Sequence, residues 1–110
     1  AGDIPCTDFM TDDAIKGDYE IETGNQIVRT FESISYSETE MVLVAGHGPF
    51  TWGTTPEKAV YNSAVLEELA KMAFITRSIN SNTPRLKEAL VDKHYQRKHG
   101  KNAYYGQASK

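Results

Sequence analysis

Residues 41–53, which read MVLVAGHGPFTWG, decide the fold of this chain. The first four are apolar and include two valines, a pattern typical of a short buried β-strand. The apolar run stops at Ala45, and the next side chain able to do acid–base or ligand chemistry is His47. Because glycines flank His47 and Pro49 follows, we expect a sharp turn that a ligand can approach closely. Its imidazole is a candidate metal ligand or proton carrier, although turn histidines are more often structural or solvated.

The composition is that of an ordinary globular domain. The chain has 110 residues, of which 39% are hydrophobic and 25% are charged, so one domain is expected. A net charge of −3 weighs against a general nucleic-acid binder. Cys6 is the single cysteine, which excludes an internal disulfide, and no apolar run approaches the roughly 20 residues that span a bilayer. We therefore expect a cytoplasmic protein that binds neither nucleic acid nor membranes.

Capping residues and apolar spacing predict four helices and two strands. The expected helices cover 12–16, 18–33, 56–78 and 84–99, and the expected strands cover 41–44 and 50–52. The second helix should bury one apolar face, which consists of Ile21, Gly24, Val28 and Phe31. The third is apolar over most of its circumference, so we expect it to be buried on two sides, in a core or at a subunit contact.

Several segments of the chain resemble a known family. They are residues 2–7, 15–24, 46–53, 92–95, 97–100 and 103–107. In this order they resemble the L-ribulose-5-phosphate 4-epimerases, which are members of the class II aldolase/adducin superfamily. The segment 47–53 occurs broadly in that superfamily, whereas the tail segment 103–107 is typical of the epimerases.

The resemblance implies an α/β fold, namely a three-layer α/β/α sandwich of which residues 1–110 form the C-terminal half. It implies a homotetramer with active sites between subunits and one zinc ion per subunit. The implied reaction interconverts L-ribulose 5-phosphate and D-xylulose 5-phosphate by retro-aldol and aldol chemistry. It further implies that two histidine ligands, a catalytic aspartate and the phosphate-binding segment precede residue 1, so we expect the chain alone to be inactive.

The resemblance also assigns roles to single residues. His47 matches the third metal-ligand histidine, and Ala45 stands where the family often has a second histidine. Tyr105 matches a tail tyrosine that acts as acid/base in a neighbouring subunit's site; the alternative is an aromatic that packs at an interface, as we expect for Tyr104. His94 matches a histidine close to the active site and fits equally well a helix-face histidine bonded to a neighbouring backbone.

Two charged features of the sequence can be explained by their positions at helix ends, without a role in an active site. Asp18 stands where relatives often have a glutamate, and a helix N-cap explains it equally well. The basic run 97–99 suggests phosphate binding, but compensation of the dipole at a helix C-terminus accounts for it more simply.

Two rival functions stay open at this point. One is a class II sugar-phosphate aldolase of the fuculose-phosphate type, which the epimerase-like tail disfavours. The other is a non-catalytic interaction module of the adducin kind, which needs neither His47 nor Tyr105.

Overall fold

The computed structural model describes residues 2–101, which contain four helices and two strands. In chain order they are α1 (Asp12–Lys16), α2 (Tyr19–Thr30), β1 (Met41–Val44), β2 (Gly48–Thr51), α3 (Pro56–Ile79) and α4 (Glu88–His99). The two strands form an antiparallel hairpin in which Met41 lies opposite Thr51 and Val44 lies opposite Gly48. The prediction of β1 is confirmed over all four of its residues.

A segment near the N-terminus extends this hairpin on the other side of β1. Leu43 donates its N–H to the Pro5 carbonyl and accepts a bond from the Thr7 N–H, each at 2.9 Å. Cys6 and Leu43 form a parallel bridge. The described residues are thus a mixture of helices and a small sheet, which agrees with an α/β class, while the three-layer sandwich stays a prediction.

The apolar core of the described residues is small. Val42 is completely buried, and Val44 and Leu66 are each 3% exposed. The two valines alternate along β1, as the period of two in a strand requires. Leu66 belongs to α3, and the Thr51 hydroxyl of β2 donates to the Ala59 carbonyl of the same helix at 2.9 Å. The first half of α3 therefore lies against the hairpin.

Threonine hydroxyls cap the N-termini of α1 and α3, in agreement with the helix starts predicted at residues 12 and 56. The Thr11 hydroxyl accepts the Ala14 N–H at 3.2 Å, and the Thr55 hydroxyl accepts the Lys58 N–H at 3.1 Å. These bonds satisfy backbone donors that the first turn of a helix leaves without partners. Gly17 ends α1, as predicted.

The predicted apolar face of α2 is wrong. Ile21 and Val28 are 62% and 69% exposed, and the buried residues are Thr23 and Gln26. The Thr23 hydroxyl donates to the carbonyl one turn earlier at 2.7 Å, and Gln26 Nε2 donates to the Asp8 carbonyl at 2.5 Å. Gln26 Oε1 is buried and has no hydrogen-bond partner among the described residues. The helix also ends at Thr30, earlier than predicted.

The predicted span of α3 is correct to within one residue, but its two-sided burial is not observed. Only Asn62 and Leu66 are buried, and every residue in 67–79 is exposed. Among the described helices and strands, α3 contacts only β1 and β2. A two-stranded hairpin is too narrow to cover a helix of 24 residues.

The remaining differences are at element ends. β2 begins and ends earlier than predicted, at Gly48 and Thr51, and α4 begins at Glu88 instead of residue 84. In the segment before α4, Arg85 forms an exposed ion pair with Asp3. None of the described helices has the length and apolar character needed to cross a membrane.

Candidate functional site

His47 lies in the hairpin turn between β1 and β2, as predicted. Its N–H donates to the Val44 carbonyl at 2.9 Å, which closes the turn. Gly46 has φ +73° and Gly48 has φ +142°, both in the region that favours glycine. The two glycines therefore set the backbone path that carries His47 to the end of the hairpin.

A buried hydroxyl near the N-terminus fixes the base of this turn. Thr7 is 4% exposed, and its Oγ1 accepts the Ala45 N–H at 3.1 Å. Sequence reasoning missed this residue, since 38 positions separate it from its partner and no local pattern marks it. Thr7 and the two glycines together hold the backbone on either side of His47.

The His47 side chain is exposed and available for binding. Its ring stacks on Phe50, with 5.1 Å between the centroids and 26° between the planes. Within residues 2–101, no hydrogen bond to its ring nitrogens is observed. Each nitrogen can thus reach solvent, a metal ion or a ligand, with the ring orientation limited by Phe50.

His94 lies elsewhere on the surface. It is exposed on α4 and lines a cavity of about 360 Å³ together with Tyr95, Lys98 and His99. His47 is not among the residues that line this cavity, and the structure shows no contact between the two histidines. Tyr105, like Tyr104, is outside the described residues.

The structure places both charged features, Asp18 and the basic run 97–99, at the ends of helices. Asp18 occupies the N-cap position of α2, as predicted, and its side chain makes no capping hydrogen bond. Arg97, Lys98 and His99 occupy the last turn of α4, which agrees with the explanation by the helix dipole.

The described residues do not complete a metal site. Zinc in proteins is held by three or four ligands drawn from His, Cys, Asp and Glu. Among residues 2–101, no group of three such side chains is close enough to hold an ion. His47 can therefore supply one ligand, and a complete site requires others from beyond the described residues.

Gly46→Ala is expected to destabilise the turn. A Cβ at this position would lie 3.4 Å from the Phe9 ring, and an L-residue at φ +73° costs about 1–2 kcal/mol. We expect a loss of that size in the free energy of unfolding by urea. Gly2→Ala is the control, since its Cβ would meet nothing within 4 Å. Equal stability of the two variants would contradict the strained-turn explanation.

Tyr95 connects the cavity beside His94 to the loop before β1. Its hydroxyl donates to Glu38 Oε1 at 3.0 Å, and this bond, with desolvation and the charge of Glu38, raises the pKa of Tyr95 above its usual 10.0. The bond is intact below the usual pKa and is lost as the pH rises through the raised value. We expect Glu38→Gln to lower the pKa of Tyr95 in an ultraviolet titration, with Tyr95→Phe identifying its signal. An unchanged titration would contradict the bond.

A protein-family model matches the part of the chain that contains the His47 turn. The model of the class II aldolase and adducin N-terminal domain matches residues 1–74, which is 74 of the 110 residues. The chain belongs to the class II aldolase and adducin family. The match includes the hairpin and His47, whereas α4, His94 and Tyr105 are beyond it. The class II aldolase and adducin assignment is thus confirmed, and the epimerase subtype stays a prediction.

Proposed function

We propose that this protein is a metal-dependent sugar-phosphate epimerase that interconverts L-ribulose 5-phosphate and D-xylulose 5-phosphate. The observation that carries the proposal is the exposed imidazole of His47, held between two glycines of positive φ within the residues that match the family model. A pure interaction module has no use for an accessible imidazole on a rigid turn. The segments 97–100 and 103–107, which resemble epimerases, favour this activity over an aldolase.

In this proposal His47 donates one ring nitrogen to a divalent metal, for which zinc is the expected ion. Such an ion, when bound, supplies Lewis-acid polarisation of the substrate carbonyl. The described residues do not hold it by themselves. We propose that the other ligands come from a polypeptide segment outside these 110 residues, and that the chain contributes one part of a single aldolase-type domain.

Two further residues have proposed roles in proton transfer. Tyr105 would act as the acid/base toward a substrate oxygen, since a phenol can protonate a developing alkoxide when a cationic neighbour lowers its pKa. His94 would assist from α4. Support for His94 is its exposure and its place among the other polar side chains of the cavity on that helix, Tyr95, Lys98 and His99.

The proposed assembly is a cytoplasmic homotetramer with active sites between subunits. If one chain supplies His47 and a neighbouring chain supplies His94, the two side chains need not lie together within one chain. This agrees with the position of His94 in a cavity that His47 does not line. The exposed second half of α3 provides apolar surface on which another chain can pack. The proposed substrate is a sugar phosphate.

The isolated 110-residue chain should bind zinc only weakly. A single histidine cannot provide the three or four ligands of a tight site. Competition with a chromophoric zinc chelator measures this affinity directly. A dissociation constant in the nanomolar range would show that the chain holds a complete site and would overturn the shared-site proposal.

The activity is tested on the protein encoded by the complete reading frame, supplied with L-ribulose 5-phosphate. The proposal expects D-xylulose 5-phosphate to appear, detected by NMR, without accumulation of free aldehyde. Release of aldehyde without the epimer would identify an aldolase. No turnover of either kind in a folded, zinc-loaded protein would support the interaction module.

A further inference from the structure

The segment 5–9 runs beside β1 toward the hairpin turn. Leu43 donates its N–H to the Pro5 carbonyl and accepts the Thr7 N–H, each at 2.9 Å. Two residues further along the chain, Ala45 donates its N–H to the Thr7 hydroxyl at 3.1 Å. The contacts of this segment thus continue past the end of β1 and into the turn.

The same segment is also attached to α2. Gln26, which is 8% exposed, donates Nε2 to the Asp8 carbonyl at 2.5 Å. The Phe9 ring lies against Gly46, since a Cβ at that glycine would be 3.4 Å from Phe9 Cε1. The segment 5–9 therefore connects α2 to the beginning of the hairpin turn.

Thr7 suits its position because of its hydroxyl. The strand pairing ends at Val44 and Gly48, so the ladder supplies no acceptor for the Ala45 N–H. The hydroxyl of Thr7, a residue that is 4% exposed, supplies that acceptor. Since buried polar groups are costly without a hydrogen bond, each of these two groups satisfies the other. A valine would fill the same space and leave the N–H without its acceptor.

The position of the His47 ring depends on the backbone of this turn. Within residues 2–101, no hydrogen bond to its ring nitrogens is observed, and the ring stacks on Phe50. Small displacements matter for a group that takes part in a reaction, because an error of about 1 Å can cost about 100-fold in rate. The backbone that leads into His47 therefore decides where the imidazole lies.

We propose that Thr7 is a positioning residue for His47. By accepting the Ala45 N–H, it fixes the chain two residues before the imidazole, and the bond between Gln26 and the Asp8 carbonyl attaches this support to α2. The effect on the turn follows from these contacts, whereas the effect on turnover rests on the proposed function. Thr7 acts through His47 and does not itself touch the reacting atoms.

Amide hydrogen exchange in the protein encoded by the complete reading frame tests the contact. Thr7→Val removes the acceptor and keeps the volume of the side chain. We expect exchange at the Ala45 and His47 amides to become about fivefold faster, the effect of losing one ordinary hydrogen bond. Thr7→Ser retains the hydroxyl and should exchange as slowly as the wild type.

Thr23→Val is the matched control for a general loss of stability. Thr23 is 6% exposed, and its hydroxyl donates to the Tyr19 carbonyl at 2.7 Å, so this variant loses a buried hydrogen bond within α2. We expect exchange at Ala45 to be unchanged in it. Unchanged exchange at Ala45 in Thr7→Val, or equal acceleration in both valine variants, would overturn the proposal.

Zinc affinity tests whether the support reaches the imidazole. Residues that orient a metal ligand typically contribute about 10–100-fold to metal affinity or activity. We therefore expect Thr7→Val to weaken zinc binding about tenfold, whereas Thr7→Ser and Thr23→Val should bind as the wild type does. A Thr7→Val protein that is less stable to urea but keeps full zinc affinity would show a purely structural role and overturn the proposal.

His47→Gln in the same zinc assay separates this proposal from the proposed function. Weakened binding in His47→Gln with normal binding in Thr7→Val would overturn only the positioning role. Normal binding in both variants would overturn the positioning role together with the proposed metal ligand.

Discussion

His47→Gln is expected, under the proposed function, to lower the rate of sugar-phosphate turnover by at least about 100-fold in the protein encoded by the complete reading frame. Mutation of a residue that only orients a metal ligand typically lowers metal affinity or activity by about 10–100-fold. Because His47 is proposed to be a ligand itself, its replacement should cost at least about 100-fold. The fold should survive, because the side chain is exposed and the turn is closed by the His47 backbone N–H, which glutamine retains.

Two measurements separate this role from a structural one. Metal content by mass spectrometry should fall together with turnover, while the unfolding midpoint stays near that of the wild type. Lys16→Gln is the control, since Lys16 is exposed at the end of α1 and has no proposed role. If His47→Gln kept full turnover and full metal content, His47 would be an ordinary turn residue.

Features determined by neighbouring residues could be predicted from the sequence. β1 follows from four consecutive apolar residues, and the Thr11 and Thr55 caps follow from hydroxyls placed just before helix-forming segments. The turn around His47 follows from its two glycines, which adopt the positive φ values expected of them. In each case the cause lies within a few residues of its effect.

Features that depend on distant parts of the chain could not be predicted. Asn62 is 6% exposed, and its Nδ2 donates to the Trp52 carbonyl at 2.8 Å and to Glu40 Oε2 at 3.2 Å. This amide connects α3 to the residues that flank the hairpin. A pattern of apolar residues treats asparagine as a surface residue, because its acceptors are 10 and 22 positions away. The burial of Gln26 on α2 could not be predicted for the same reason, since its acceptor, the Asp8 carbonyl, is 18 positions away.

The candidate site likewise has features that depend on neighbouring residues and features that depend on distant parts of the chain. The motif around His47 is local, so both the turn and the class II aldolase and adducin family could be predicted from it. The relation of His47 to His94 depends on how α4 packs, and the structure places His94 in a cavity that His47 does not line. Among residues 2–101, no three side chains of the metal-ligating types lie close enough to hold an ion, so the metal ligand set stays a prediction.

Leu66→Ala is expected to lower the free energy of unfolding by about 2–4 kcal/mol. Leu66 is 3% exposed and is the buried apolar residue that α3 contributes to a core shared with Val42 and Val44. With so few buried apolar side chains, neighbours cannot close over the space that a truncated leucine leaves. Native proteins are stable by about 5–15 kcal/mol, so a loss of this size is a large fraction of the total.

Leu86→Ala provides the matched comparison, because it removes the same atoms from a side chain that is 64% exposed. We expect its cost to be below about 0.5 kcal/mol, since exposed substitutions rarely exceed that value. Urea unfolding at one protein concentration measures both variants, with the fluorescence of Trp52 as the probe. That indole donates to the Tyr36 carbonyl at 2.8 Å and packs edge-on against Phe31, so its signal reports on the hairpin. Equal costs for the two truncations would mean that α3 is not packed on the hairpin through Leu66.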